Sequence, residues 1–313
     1  MKILITGGTG MVGSAFKDVA NEYSSYKFIL VGSSDYDLTS AEQCNTMLSV
    51  HRPDAIIHLA ARVGGVKGNS DFVADFYLDN IKMNTNILDS AHKFRIKKVL
   101  SLLSTCVYPD KATYPLTEDQ IHSGPPHISN FGYAYAKRML DIHSKALRKQ
   151  YGCNFICAIP NNIYGPRDNF DLDCGHVIPA IIRKVWEAKM NGNEPVFWGD
   201  GKPLREFTYS RDIAKALIFL LENYEGSEPI NIGNMEEMSI HSAVQKICKK
   251  LKYDGPIFWD IDKPSGQFKK PSVNNNFIKI GWRNSNYTPF TNGINQTCDW
   301  FLENYPNVRG VRL

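Results

Sequence analysis

Short apolar runs and longer amphipathic stretches alternate through the first half of the chain. Lys2–Thr6, Lys27–Gly32, Ala55–Leu59, Lys98–Ser104 and Asn154–Pro160 are apolar runs of strand length. Between them, Gly10–Tyr23, Ala41–His51, Phe76–Phe94 and Tyr133–Tyr151 read as helices; in the third, Leu78, Ile81, Met83, Ile87, Leu88 and Ala91 recur at helical spacing. Strands separated by helices need crossover connections, so this alternation predicts an α/β fold: a doubly wound parallel sheet with helices on both faces. Beyond Gly165 the elements shorten and Pro, Gly and Asn interrupt them. Leu204–Asn223 and Pro229–Gly233 read as a helix and a strand that return to the sheet, leaving 166–203 and 234–313 as a smaller C-terminal lobe. A cleft is expected over the C-terminal ends of the strands, where open α/β sheets bind ligands.

Composition narrows the classes. The 313 residues are 43% hydrophobic and 22% charged, with a net charge of +4, ordinary for a globular protein. The cations form no long basic run, which argues against nucleic acid as a partner. No apolar run approaches the ~18–20 residues of a membrane span, and the chain opens directly on a strand without a signal-peptide core. A cytoplasmic protein with no membrane partner is expected. The seven cysteines are odd in number and scattered, which suits neither a disulfide framework nor a zinc site, so no metal is expected.

Candidate chemistry begins at Gly7-Gly8-Thr9-Gly10-Met11-Val12-Gly13, between the first strand and the first helix. Three glycines at this spacing give a tight turn, a bare backbone beside a pyrophosphate and close helix–strand contact, while the helix N-terminus offers free N–H groups to phosphates. Residues 1–165, rejoined by 204–233, are therefore read as a Rossmann-type dinucleotide-binding domain, and the remainder as a substrate-binding lobe. The second strand ends Val31-Gly32-Ser33-Ser34 without the acidic residue that binds a ribose 2′-OH. Hydroxyls of Ser33 and Ser34 suit a 2′-phosphate, favouring NADP(H) over NAD(H), although no arginine stands nearby. Further on, Tyr133 and Lys137 lie four apart on one helix face. A cation near the phenol lowers its pKa and makes it a usable acid for an alkoxide. Ser104, at a strand end, can hydrogen-bond the same oxygen. Tyr135 is expected to pack.

The GxxGxxG turn, the strand-end serine and Tyr-x-x-x-Lys together resemble the extended short-chain dehydrogenase/reductases. Ser104-Thr105-Cys106-Val107-Tyr108-Pro109, Asn130-Phe131-Gly132, Pro160–Phe170, Gly175-His176-Val177-Ile178-Pro179 and Ser265–Lys270 narrow the resemblance to the GDP-L-fucose synthases. That resemblance implies epimerisation of GDP-4-keto-6-deoxy-D-mannose at C3 and C5, then NADPH-dependent reduction at C4, in a homodimer joined through the two long helices. It assigns Cys106 as base and His176 as acid, with Ser104, Tyr133 and Lys137 at the ketone. Cofactor contacts carried over are Gly7, Thr9, Gly10, Met11, Gly13, Ser33, Ser34, Asp37, Leu38, Leu59, Ala60, Ala61, Tyr133, Lys137, Pro160 and Ile163; Asp37 fits a capping role equally well. Asn162, Val177, Lys184, Trp198, Arg205 and Lys270 are implied at the nucleotide sugar. A solvated charge at Lys184 and core filling by Trp198 stay open. Action on another nucleotide-linked 4-keto-6-deoxy sugar is the near alternative; a non-catalytic NADP-binding module is the distant one.

Overall fold

The computed structural model describes residues 1–263 and 268–311. Along the chain run β1 (Lys2–Thr6), α1 (Met11–Val19), β2 (Lys27–Val31), α2 (Ala41–His51), β3 (Ala55–His58), α3 (Val66–Asp71), α4 (Val73–Lys93), β4 (Lys98–Leu102), α5 (Phe131–Tyr151) and β5 (Asn154–Pro160). There follow β6 (Asn162–Tyr164), α6 (Val177–Asn191), β7 (Val196–Trp198), β8 (Leu204–Tyr209), α7 (Ser210–Asn223), β9 (Ile230–Ile232), β10 (Glu237–Ser239), α8 (Ile240–Leu251), β11 (Phe258–Asp260), α9 (Asn275–Lys279) and α10 (Phe290–Asn304).

The main sheet has six parallel strands in the order β2-β1-β3-β4-β5-β9, the doubly wound architecture that the alternation predicts. Because successive side chains of a strand point to opposite faces, each apolar run serves two cores. Ile3, Ile5, Ile57, Leu100 and Ile156 pack against Phe16 of α1 and Leu217 of α7. Leu4, Ile56, Val99 and Phe155 pack against Met47, Leu88 and Leu140 of α2, α4 and α5. Each such fully buried side chain contributes about 1.5–3 kcal/mol.

A third core, with Tyr164, Ile182, Phe207, Ile247 and Phe301, lies under a three-stranded sheet ordered β10-β8-β6. Here the structure departs from the expected elements. Leu204–Tyr209 is a strand, not the start of a helix; it pairs antiparallel with β10 and parallel with β6. Its alternation is short and runs straight into the apolar pattern of α7, so the helical period masks it. The return to the main sheet thus starts at Ser210 rather than 204, and Asn162–Tyr164 belongs with the smaller sheet. Conversely Phe277, Trp282 and Tyr287, sequentially in the C-terminal lobe, pack into the α1–α7 core. The two long helices begin earlier than their apolar patterns, at Val73 and Phe131. Ser265, Gly266 and Gln267 of the Ser265–Lys270 motif lie outside the described residues.

Candidate active site

In the main sheet β1 pairs with β2 on one side and β3 on the other, so the chain reverses direction of winding there and a crevice opens over the strand ends. A cleft of about 1200 Å³ occupies it. Gly7 has φ +68°, and a Cβ on it would stand 2.9 Å from the Ala60 nitrogen; one on Gly13 would stand 2.3 Å from the Gly7 carbonyl oxygen. The backbone of the turn is thereby pressed against the end of β3. No side chain caps α1 at Gly10, leaving its first-turn amides available to an anion. Gly7, Thr9, Gly10, Met11 and Gly13 line the cleft, as do Leu59, Ala60 and Ala61.

Beneath this turn a hydrogen-bond chain ties four elements together. The Thr6 hydroxyl donates to His58 Nδ1 at 2.8 Å; His58 Nε2 donates to Asn84 Oδ1 at 3.0 Å; Asn84 Nδ2 donates to the Ala136 carbonyl at 2.9 Å. Burial, and secondarily the nearby Lys137 ammonium, push the His58 imidazole down to about 3, so it is neutral. His58 appears in the sequence only as part of a strand end, and its role as a buried strut has no local signature.

At the end of β2, Ser33, Asp37 and Leu38 line the cleft, whereas Ser34 is exposed and does not. Asp37 Oδ1 accepts from the Thr39 amide and hydroxyl at 2.9 and 2.7 Å, which holds its carboxyl below the usual range. The N-cap of α2 is Ser40, not Asp37.

The other end of the cleft is lined by Ser104, Tyr133, Lys137, Pro160, Asn162, Ile163, His176 and Val177. Ser104 caps the short 3-10 turn Thr105–Val107, accepting from the Cys106 amide at 3.4 Å. Tyr133 and Lys137 are both buried; the Lys137 Nζ lies 5.9 Å from the Tyr133 ring centre but donates to the Leu102 carbonyl at 2.8 Å. The expected lowering of the phenol by this lysine is not what the structure gives. Burial pushes Tyr133 well above its ordinary value, the Cys106 charge adds to the rise, and burial pulls Lys137 down to about 8. The phenol is therefore held in its proton-donating form. Burial raises the Cys106 thiol as well, while the Ser104 hydroxyl, Lys270 and Lys137 pull it back.

His176 is the N-cap of α6, and its imidazole is pushed down by burial first and by Arg309 second. The other expected substrate residues spread out. Lys184 donates to the Val196 carbonyl at 2.9 Å and lines, with Trp198, a separate groove of about 310 Å³. Trp198 is 61% exposed, which excludes core filling. Arg205 donates to the Leu204 carbonyl at 2.7 Å, and Lys270 donates to the Thr105 carbonyl at 2.9 Å. Lys270 thus stands beside Cys106. Tyr135 does not pack into the core; it is 44% exposed with the Arg138 guanidinium 5.4 Å from its ring centre.

Two cleft residues escape the sequence reading. Asp168 is buried, and its Oδ2 has no partner among the described residues; burial pushes it up to about 7, against the pull of the Asn169 amide first and Arg309 second. Arg309 arrives from the C-terminal tail, held where the Phe170 amide bonds its carbonyl at 2.9 Å and Arg183 bonds that of Gly310 at 2.9 Å. Asp168 is visible within the Pro160–Phe170 motif, but nothing local marks Arg309. Among the described residues no cluster of His, Cys, Asp or Glu is grouped to hold a metal ion, and no helix is long and apolar enough to cross a membrane.

A doubly wound sheet with this cleft at its switch point defines a dinucleotide-binding protein, and the model of the NAD dependent epimerase/dehydratase family matches residues 3–233. GDP-L-fucose synthase of Dictyostelium discoideum is 41% identical, over 98% of this chain and 97% of its own. A crystal structure of a GDP-L-fucose synthetase from Naegleria fowleri bound to NADP superposes with a TM-score of 0.91 at 42% identity, covering 98% of this chain and 96% of that one. GDP-L-colitose synthase of Yersinia pseudotuberculosis is 36% identical over 98% of this chain and 100% of its own. With such identities over nearly the whole of both chains, the chain belongs to the GDP-L-fucose synthase family.

Proposed function

We propose that this protein is an NADPH-dependent epimerase-reductase that converts GDP-4-keto-6-deoxy-D-mannose to GDP-L-fucose in the cytoplasm. One observation carries the reading: Ser104, Thr105, Tyr133, Lys137 and His176 line the cleft that begins at the glycine turn, with Cys106 the next residue after Thr105 in the turn Thr105–Val107.

The residues fit the cofactor. The bare backbone at Gly7 and Gly13 and the uncapped start of α1 suit a pyrophosphate, Ser33 suits the 2′-phosphate, and Lys137 with Pro160 and Ile163 faces the nicotinamide end. When bound, NADPH supplies the hydride for C4.

The chain's own groups do the rest. Ser104 and Tyr133 hold the C4 oxygen, and their hydrogen bonds strengthen as negative charge grows there. Because an enolate formed at C3 or C5 places its charge on that oxygen, holding the oxygen makes the C3 and C5 protons acidic. Cys106 removes a proton from one face, and His176, whose lowered pKa makes its protonated form a stronger acid, returns one to the other. Tyr133 finally donates its phenolic proton to the C4 alkoxide, and the buried Lys137 ammonium offsets the phenolate left behind. Asn162 and Val177, in the cleft, line the sugar, Arg205 meets the phosphates, and Lys184 and Trp198, in their separate groove, meet only the distal end of the nucleotide.

The test is incubation of the purified protein with NADPH and GDP-4-keto-6-deoxy-D-mannose in D₂O, with the product read by NMR. Deuterium at both C3 and C5 is expected; incorporation at neither carbon would leave a plain reductase. The identity to the colitose synthase favours a second reading, action on another GDP-linked 4-keto-6-deoxy sugar, which the same assay decides by comparing candidates. Phe72, Tyr77 and Leu78 beside or on α4 and Tyr135 and Ile142 on α5 are exposed apolar residues of two helices that pack together. Such a patch suits a homodimer through these helices, and light scattering should give twice the chain mass.

A further inference from the structure

Three cations surround the turn that carries Cys106, and each is held by a main-chain oxygen. Lys137 Nζ donates to the Leu102 carbonyl at 2.8 Å, Lys270 Nζ to that of Thr105 at 2.9 Å, and Arg138 Nε to that of Val107 at 2.7 Å. Lys137 and Arg138 are 2% and 6% exposed, and among the described residues none of the three is ion-paired to a carboxylate. Arg138 Nη2 is buried without a hydrogen-bond partner. Unpaired buried charge is costly unless an anion comes within reach. One anion at hand is sulfur: Lys270 and Lys137 favour the Cys106 thiolate, and a charge on Cys106, after that on Tyr135, favours the protonated Arg138.

We propose that Arg138, with Lys270, is a positioning residue for the base of the reaction: it clamps the Val107 carbonyl, fixing the turn, and supplies positive charge that sustains the Cys106 thiolate. This rests on the reading of Cys106 as base. The thiolate lone pair takes the proton from C3 or C5, the C–H electron pair passes into the enolate held by Ser104 and Tyr133, and the sulfur becomes a thiol. Burial opposes that thiolate, and the Ser104 hydrogen bond followed by the surrounding positive charge offsets it. The titratable and charged groups coupled to the sulfur are Tyr133, Lys137, Arg138 and Lys270, with the Ser104 hydroxyl; Tyr135 bears on Arg138, Cys157 on Lys137, and Asp110 and Arg205 on Lys270.

The pH dependence of Cys106 alkylation by iodoacetamide, read on its own peptide by mass spectrometry, tests this in the wild-type protein, Arg138→Gln and Arg138→Lys. Glutamine can still bond Val107 but carries no charge. It should move the titration up by about one unit, slowing alkylation near neutrality about tenfold, while NADPH affinity stays within twofold and lysine restores most of the rate. Lys270→Gln, on a loop rather than a helix, gives a second reading in the same direction should Arg138→Gln fail to fold. An Arg138→Gln thiol that titrates like the wild type, or a lysine variant shifted as far as the glutamine one, overturns the proposal. Alkylation shifts as expected in a protein that turns over no keto sugar would support the electrostatic cage while counting against the proposed reaction.

Discussion

At the cofactor end of the cleft the contacts are backbone: a glycine turn, the open amides of α1 and the Leu59–Ala61 segment behind β3. At the chemical end they are side chains brought from far apart in sequence: Ser104 and Cys106 after β4, Tyr133 and Lys137 on α5, His176 at the start of α6, and Lys270 from the loop before α9. The first needs only the consecutive run β1-α1-β2-α2-β3 to be correct; the second needs both sheets and the tail in register. The cofactor end should therefore respond to added bulk, and the chemical end to changed protonation.

Tyr133→Phe should have the largest effect, lowering the rate of C4 reduction by about 10²–10⁴-fold with NADPH binding retained; stopped-flow absorbance of NADPH separates the two. Equal loss of cofactor affinity would mean that the phenol serves the cofactor end. Gly13→Ala should do the reverse. Its Cβ would collide with the Gly7 carbonyl at 2.3 Å, so NADPH should bind at least about tenfold more weakly, in line with ~1–3 kcal/mol of overpacking. Unchanged affinity by fluorescence titration would show that the turn does not set the cofactor site.

The strut beneath both ends gives a smaller effect. His58 has a folded pKa depressed to about 3 against about 6.5 when unfolded, so below the unfolded value the unfolded chain binds the extra proton. Its contribution is present above about pH 6.5 and is lost as pH falls toward about 3. From pH 6.5 to 5 the unfolding free energy should drop by about 1.6 kcal/mol more than in His58→Gln; parallel urea-unfolding curves for the two would contradict the buried, neutral assignment. Lys184→Ala should matter least. Its ammonium is bonded to the Val196 carbonyl at the edge of a separate groove, so a few-fold rise in KM for the sugar nucleotide is expected with kcat unchanged.

The same contrast governs what the amino-acid sequence discloses. The parallel sheet and the glycine turn are local patterns, and both are legible in the amino-acid sequence. Tyr133 with Lys137 was readable as a spacing, but the effect of burial on the phenol was not, because it depends on what surrounds α5. Leu204–Tyr209 passed for helix since its pairing partners, β6 and β10, are distant in sequence. Arg309 left no trace, as only the bonds from Phe170 and Arg183 bring the tail to the cleft. The roles of Cys106 and His176 rest on motif resemblance rather than on spacing.

The central claim is that a thiol beside the Ser104–Tyr133 pair performs carbon acid chemistry on a substrate held in the NADPH cleft. Replacing that sulfur, Cys106→Ser, and following solvent deuterium into the sugar by NMR tests it directly. The account predicts labelling at C3 and C5 with the wild-type protein, no labelling with the variant, and the same NADPH titration for both. Labelling that persists in the variant, or cofactor affinity that collapses with it, would contradict the account.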